Sequence, residues 1–513
     1  MFGQMNETAS ITLSESLNLL FEKAPIRSAE DFWLFEEEVY RTSALHGDRI
    51  AAMELERVHC DAAFVEWAVE MARETSPCRL GNKGWRETSV LLQGGSRIVI
   101  KTPYLREDRH GKPGPRREKR GRNGAGIYPV LEALGIRDGV SPATRSEIAL
   151  HVVQAASYRE AADMLKRRGL VCETSTLVRI ANATARADIS LRDAVLEAAG
   201  SIALPAGGPL AGRRVRVSLD GGRVRVKINH RGRRTKKGRH RFSTPWREPR
   251  VVVIEILDEE GRPDPLKLPL YDGLIDCADA VFSLLIGYLR LLGAANSSVV
   301  ELISDGADWI WDRAERLITE AEIPREKLVE VLDFYHASQY LCATVELIRT
   351  LDGKERHALF DRLLHDLRHD REGVFRLIEE LKRLGEGHPD SGMEKCIAFF
   401  ERHAHRMRYA KLDEMKLSVG SGCVESAIRR TINLRFKAPG SFWEERTVSG
   451  LIHLRAHFKA GRWDQLMRRI LARKFGVPSF DRIRENGQSP SRTGTLMHTR
   501  SADDYHQDEA VQI

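Results

Sequence analysis

Residues 213–228, RRVRVSLDGGRVRVKI, constrain the fold more than any other stretch of the chain. Val215, Val217 and Leu219 alternate with Arg216, Ser218 and Asp220, and a period of two puts the apolar set on one face of a strand and Asp220 on the other. The carboxylate is therefore held at the end of a buried strand and not inside the core. Gly221 and Gly222 then turn the chain, and Val224, Val226 and Ile228 resume the alternation, which predicts a hairpin closed at Asp-Gly. That dipeptide has an ordinary reading as turn geometry. Asp220 acquires a chemical one only if other acids arrive at the same place.

At 513 residues the chain is too long for one compact core, and the length suggests about three or four units. With 42% hydrophobic residues it can bury a sizeable interior. No apolar run approaches the roughly 20 residues a membrane span needs, and the first ten residues, MFGQMNETAS, lack the basic start and apolar centre of a signal peptide. The expectation is a cytoplasmic protein without a membrane partner. Seven scattered cysteines with no CxxC pair argue against a disulfide framework and against a cysteine zinc site. A net charge of +8 points to nucleic acid where the cations are clustered, and here they are.

Residues 11–74 read as helices, and 89–104 as short strands (SVLLQ, SRIVIK). The strands run into a basic loop at 106–126, equally readable as a phosphate contact or a solvated linker. Ser141 reads as an N-cap with Pro142 at the first helical position, a second helix starts near Ser157 and ends at Gly169, and a third follows Thr174. Three short helices in this spacing outline a helix-turn-helix, with Thr176 and Arg179 of the third placed to enter a major groove; a generic three-helix bundle is the alternative.

The connection at 229–250, NHRGRRTKKGRHRFSTPWREPR, gathers many cations. Arg233, Arg234, Lys236 and Lys237 would repel one another unless something anionic lies among them; a phosphate backbone fits, with Phe242 and Trp246 available for stacking. A third strand at 251–257 follows, then a helix at 278–292, a strand at 299–303 ending in Ser304 and Asp305, a helix at 309–319, a strand at 328–332 ending in Asp333, and a helix at 337–350. Three antiparallel strands followed by alternating helices and strands make an α/β mixed sheet in the order of the ribonuclease-H-like nuclease fold. Residues 351–412 are helical and charged, and their His357, His365, His369, His403 and His405 read as surface residues.

Asp305 ends an apolar strand, at the sheet edge where ligands bind. A third carboxylate is offered by SVGSGCVESAIRR at 418–430: Gly420 and Gly422 break the preceding structure, Ser421 can cap, and Glu425 falls in the first turn of a new helix, where the dipole favours its charge. Arg429 shares its face and can pair with it or hold a phosphate. Three carboxylates at one edge would destabilise one another and raise their pKa values. Hard divalent cations resolve this, so Asp220, Asp305 and Glu425 are the expected ligands of two Mg²⁺ or Mn²⁺ ions.

The blocks DGGRVRV, WREPRVVVIEILDEEGR, ISDGADWIWDRAERL, VLDFYHA and GSGCVESAIRRTINLRFKAPGSFWEERTVSGLIHLRAHFKAGRWDQL resemble, in order, the DDE transposases of bacterial insertion sequences, most closely the Kra-type group and more distantly the Mutator-like superfamily. The resemblance spans about residues 140–470. It implies that Asp220, Asp305 and Glu425 are the catalytic triad and that the helices after His336 are an all-α insertion. It further implies that Asp333 and His336 match a C/D-x-x-H signature beside the site, with His336 orienting a scissile phosphate or a water, or else packing. Asp308 reads as an outer acid, and the block NLRFKAPGSFW, with Arg435, Lys437 and Trp443, reads either as a contact to flanking or target DNA or as a helix-to-helix turn around Pro439 and Gly440. Relatives carry a cysteine-rich segment upstream of the helix-turn-helix that is missing here.

The expected organisation is a helical region (1–88), short strands and basic loop (89–140), helix-turn-helix domain (141–202), linker and first part of the catalytic core (203–350), helical insertion (351–417), last part of the core (418–485) and a disordered tail (486–513). The expected function is metal-dependent cleavage of the element's terminal inverted repeats in double-stranded DNA and joining to a target, by a homodimer or larger assembly. A structure-selective endonuclease of the same fold, or a domesticated DNA-binding protein, are the alternatives.

Overall fold

A computed structural model describes residues 26–76, 79–107, 126–201, 207–386 apart from 233, 237 and 239, 391–438 and 440–472. The basic loop, the C-terminal tail, Arg233 and Lys237 lie outside the described residues. These residues fall into two compact units, 26–188 with 464–472, and 189–463. No described helix is long and apolar enough to cross a membrane.

The first unit begins with helices Ala29–Cys60 and Ala62–Glu74, then strands β1 (Leu80–Leu91), β2 (Arg97–Glu107) and β3 (Gly126–Ile127) in an antiparallel sheet. The β1–β2 turn is gripped by buried Asp48, whose two oxygens accept from Gly94 N and Ser96 N at 2.8 Å each. A Cβ at Gly94 would lie 2.3 Å from the Ala44 carbonyl, so glycine is what lets the turn approach the helix. Helices Pro142–Gln154 and Tyr158–Arg167 follow, and then Thr174–Ser201, whose residues from Ile189 on belong to the second unit. The first two start where their caps predict: Ser141 Oγ accepts from Thr144 N at 3.2 Å and Ser157 Oγ from Glu160 N at 3.0 Å. Gly169 takes a φ of +84° after the second.

The second unit is built on a five-stranded sheet in the order β10-β9-β4-β11-β12, from β4 (Arg214–Gly221), β9 (Arg250–Leu257), β10 (Leu270–Leu274), β11 (Val299–Ser304) and β12 (Leu328–Leu332). β4, β11 and β12 run parallel, while β9 is antiparallel to β4 and β10 to β9. Val215, Val217 and Leu219 of β4 join Val252, Ile254, Val300 and Leu302 in an apolar layer with Phe282 and Leu285 of helix Ala278–Leu291. The opposite face carries Arg216, Ser218 and Asp220 and is covered by helix Gly422–Ile428, where Cys423 Sγ lies 3.3 Å from Ser218 Oγ.

The expected hairpin after Asp220 is not formed. β4 is a central strand, and Val224–Arg225 (β5) pairs instead with Trp246–Arg247 (β8), and Ile228–Asn229 (β6) with Phe242–Ser243 (β7). Neither Gly221 nor Gly222 takes a positive φ, so neither is there for turn geometry. A Cβ at Gly222 would meet Ile432 Cδ1 at 2.9 Å, while one at Gly221 would meet only the Glu248 side chain, at 2.4 Å from Oε1, which is half-exposed and can move aside. The third antiparallel strand is β10, which the sequence reading passed over. Its centre is Asp272, fully buried and held by Tyr288 Oη at 2.7 Å and Arg192 Nη1 at 2.8 Å, so its pattern is not apolar.

The stretch expected as one helix at 309–319 is two short ones, Asp308–Trp311 and Arg316–Thr319. The insertion consists of helices Gly353–His369, Gly373–Gly385, Ser391–His403 and Tyr409–Glu414, packed through Leu363, Leu367, Leu377, Leu381 and Phe400. His403 is not on the surface: it is 1% exposed, against Trp311 and Phe399, and burial with neighbouring arginines pushes it down to about 4. His357, His365, His369 and His405 are exposed.

Candidate active site

Three parallel strands in register deliver three aspartates to one edge. Ser218 of β4 is paired with Ile303 of β11, so Asp220 and Asp305 each stand two residues further on, on the same face. Ser304 is paired with Leu332 of β12, and the next residue, Asp333, donates its N–H to the Ser304 carbonyl at 2.9 Å. Glu425 reaches this edge from the helix that crosses the same sheet face, two residues past Cys423.

Asp220 is half-buried, and its Oδ1 accepts from Gly221 N at 2.6 Å. Burial first, then the charge of Asp305 and further off that of Glu425, push its carboxyl up to about 6, against the Gly221 hydrogen bond and the charge of His336. Asp305 is fixed at both ends. Its Oδ1 accepts from Ala307 N at 3.0 Å, and its carbonyl accepts from Trp311 Nε1 at 2.6 Å.

Asp333 is buried and begins helix Phe334–Glu346, earlier than the sequence suggested, by capping it: Oδ1 accepts from His336 N at 2.8 Å and from His336 Nδ1 at 3.2 Å. Its Oδ2 accepts from Ser421 N. Burial pushes this carboxyl up, but the hydrogen bonds from His336 and Ser421 outweigh it and hold it below the usual range. Conversely, the bond to Asp333 raises His336 toward its charged form, helped by the negative charges of Asp333, Asp305 and Glu425 and opposed by burial. One ligand atom from each of Asp333, His336 and Glu425 falls within 4.8 Å of the others.

Asp220, Asp305, Glu425 and His336 are thus brought together. The detail that sequence reasoning missed is the tie from Asp333 to Ser421, which fastens the approach to the Glu425 helix onto β12. Ser421 occupies the N-cap position without capping the helix through its side chain; its N–H and its hydroxyl are both turned to Asp333. Asp308 pairs with Arg402 of the insertion at 2.6 Å.

Of the expected DNA contacts, Arg234, Lys236, Arg429 and Lys437 are exposed. Thr176 is half-buried, and Arg179 is ion-paired with Asp138 at 2.7 Å while remaining partly exposed. Arg435 must be withdrawn. It is 1% exposed, and its guanidinium lies 4.7 Å over the Trp443 ring, so it is an internal prop of the segment and not a surface cation.

No protein-family model and no curated protein matches the chain. Among solved structures it is similar to the Drosophila P element transposase strand transfer complex, at 12% identity over 69% of this chain and 88% of that one, with a TM-score of 0.24.

Proposed function

We propose that this chain is a DNA transposase that cuts DNA at the ends of a mobile element and joins them to a target, using a ribonuclease-H-like core. The observation that carries the reading is the register: β4 and β11 end in Asp220 and Asp305 side by side, beneath the helix that brings Glu425. The sheet order, three antiparallel strands with two parallel strands beside the first, is consistent with that core.

The donor set suits hard divalent cations, because it consists of carboxylate oxygens and because Asp220 is pushed up to about 6 by burial and by the neighbouring acids, against the charge of His336. Asp220, Asp305 and Glu425 are the residues that would hold Mg²⁺ or Mn²⁺. When bound, two such ions supply Lewis-acid activation of a water or 3′-hydroxyl and charge neutralisation at the leaving oxygen.

The chain's own groups do the rest. Asp333 fixes the His336 ring through Nδ1, and the acids around it favour the imidazolium, which leaves Nε2 as a donor to a non-bridging oxygen of the scissile phosphate. Arg234, Lys236, Arg429 and Lys437 supply exposed positive charge for the backbone of double-stranded DNA, and Thr176 and Arg179 lie on the helix proposed to read the terminal repeat. Joining two ends in one event calls for at least two copies on DNA.

The test is strand cleavage and joining on a labelled fragment carrying the flanking DNA ends, with Mg²⁺ or Mn²⁺, comparing wild type with Asp220→Ala, Asp305→Ala and Glu425→Ala. Loss of both steps in all three variants, with DNA binding retained, is the expected result. Nicking without joining by the wild type would replace the transposase with a metal-dependent endonuclease. Binding without cleavage would reduce it to a DNA-binding protein.

A further inference from the structure

The chain leaving Asp220 and the chain leaving the Glu425 helix are stitched together. Trp443 N donates to the Arg225 carbonyl at 3.0 Å, and Lys227 N donates to the Trp443 carbonyl at 2.8 Å. Val224 and Val226 are buried, so the alternation of this segment turns Arg225 and Lys227 to the other side. β7 and β8 fold back across it, with Arg225 opposite Trp246 and Asn229 opposite Phe242.

The outward side is an aromatic surface. Trp246, Phe242 and Phe442 are 56%, 44% and 43% exposed, and the Phe242 and Phe442 rings lie 5.0 Å apart. The Arg225 guanidinium sits 5.7 Å from the Trp246 ring, and the Lys227 ammonium 5.1 Å from that of Phe242. Three aromatic rings left about half in water on one side of the segment mark a ligand surface.

The cations decide the kind of ligand. Arginine with aromatic rings would suit a protein partner as well, but lysine is depleted from protein–protein interfaces, whereas here Lys227 lies over the Phe242 ring, and Arg231, Arg234, Lys236 and Arg241 are exposed on the connection that carries Phe242 and Trp246. A partner that offers flat apolar faces together with a regular negative backbone is a nucleic-acid strand whose bases are unstacked; a duplex keeps those faces against one another. Arg225 is five residues from Asp220, so at most roughly 18 Å of extended chain separates the surface from the acids.

The geometry points to a binding site for a short unpaired stretch of DNA, formed by Phe242, Trp246 and Phe442 with Arg225 and Lys227, beside the cleavage site. The inference rests on the reading of the chain as an enzyme acting on DNA, and it adds that the DNA is opened there.

The experiment measures binding of a fluorescent oligothymidine and of a duplex of equal length to the full chain without divalent metal, so that it reads the surface whether or not strand transfer occurs. The Phe242→Ala/Phe442→Ala variant is expected to lose at least about tenfold in affinity for the single strand, given about 1–3 kcal/mol per stacked base, and less than about twofold for the duplex. Phe242→Tyr is expected to keep single-strand binding, which separates stacking from folding. On flanking-end substrates, the double variant is expected to cut a fully paired end poorly and an end with unpaired bases at the wild-type rate. Equal losses on single strand and duplex, or no loss on either, would overturn the site while leaving the triad test untouched. Failure of cleavage by the wild type, with the single-strand preference intact, would overturn the transposase reading and keep the site.

Discussion

Asp220 and Asp305 end two adjacent parallel strands in register, so their carboxylates share one edge and one face of the sheet. Burial of Asp220, and after it the repulsion by Asp305, set a stability cost that depends on pH. Asp220 is raised from 3.8 to about 6 in the fold, so between these values the folded chain holds a proton that the unfolded chain releases. Stability from this group is full below its unfolded value and is lost as pH rises through about 6. Asp220→Asn is therefore expected to stabilise the metal-free protein at neutral pH, on the order of 1–3 kcal/mol, with the gain vanishing below about pH 4. Urea unfolding in EDTA across this range checks it; a gain independent of pH would contradict the assignment.

Metal should reverse the sign of that effect. A ligand that binds only the folded state at about 100 times its dissociation constant adds about 2.7 kcal/mol. Mg²⁺ or Mn²⁺ is expected to raise the melting temperature of the wild type, and to do so less for Asp220→Asn, Asp305→Asn and Glu425→Gln. Calorimetry with and without chelator reads this directly, and equal shifts in all four proteins would place the ions elsewhere.

Much of this edge was legible in the sequence because it is written locally. An apolar run that stops at an acid names both a strand and its end, and this held for Asp220, Asp305 and Asp333. What could not be read was pairing. The alternation on both sides of Gly221-Gly222 fits a hairpin as well as it fits two strands that part company, and the choice rests on β9 and β11, distant in sequence, occupying both edges of β4. β10 escaped notice because its inward residue is Asp272, whose partners Arg192, Tyr288 and His453 come from distant segments. Arg435 and His403 looked like surface residues for the same reason: a charged or polar type says little about burial when its partners, Trp443 for one and Trp311 for the other, lie elsewhere.

Asp333 is expected to act by position, since both its oxygens are committed to the protein. Asp333→Ala removes a helix cap, worth about 1 kcal/mol, and frees the Ser421 N–H that holds the approach to Glu425. His336 should then titrate lower, nearer the ordinary histidine value, because its largest raising influence is the bond to Asp333. NMR titration of the ring is the measurement. An unchanged titration would mean that the acids beyond Asp333 set the charge of His336.

Beneath the site, Arg216 of β4 lies buried between Glu255 of β9 and Glu301 of β11, its cross-strand neighbours, at 3.2 Å and 3.4 Å. Its remaining nitrogen donates to the Gly261 carbonyl at 3.0 Å. One cation serves two carboxylates, and burial pushes Glu301 up to about 7 even against the attraction of Arg216. Arg216→Met would leave two acids facing each other in the interior, a loss of about 3–5 kcal/mol by the general cost of breaking a buried pair. Because the stranded Glu301 carboxyl would be raised further, the loss should grow as pH rises above the unfolded value of glutamate and shrink below it. Replacing all three, with Glu255→Leu and Glu301→Leu added, is expected to recover most of the stability, since well-packed apolar residues of similar volume often replace buried ion pairs without penalty. Thermal unfolding of the single and triple variants at acid and neutral pH distinguishes the cases: if the triple variant were no better than the single one, the charges would be serving the packing of the Glu425 helix and not merely tolerating one another.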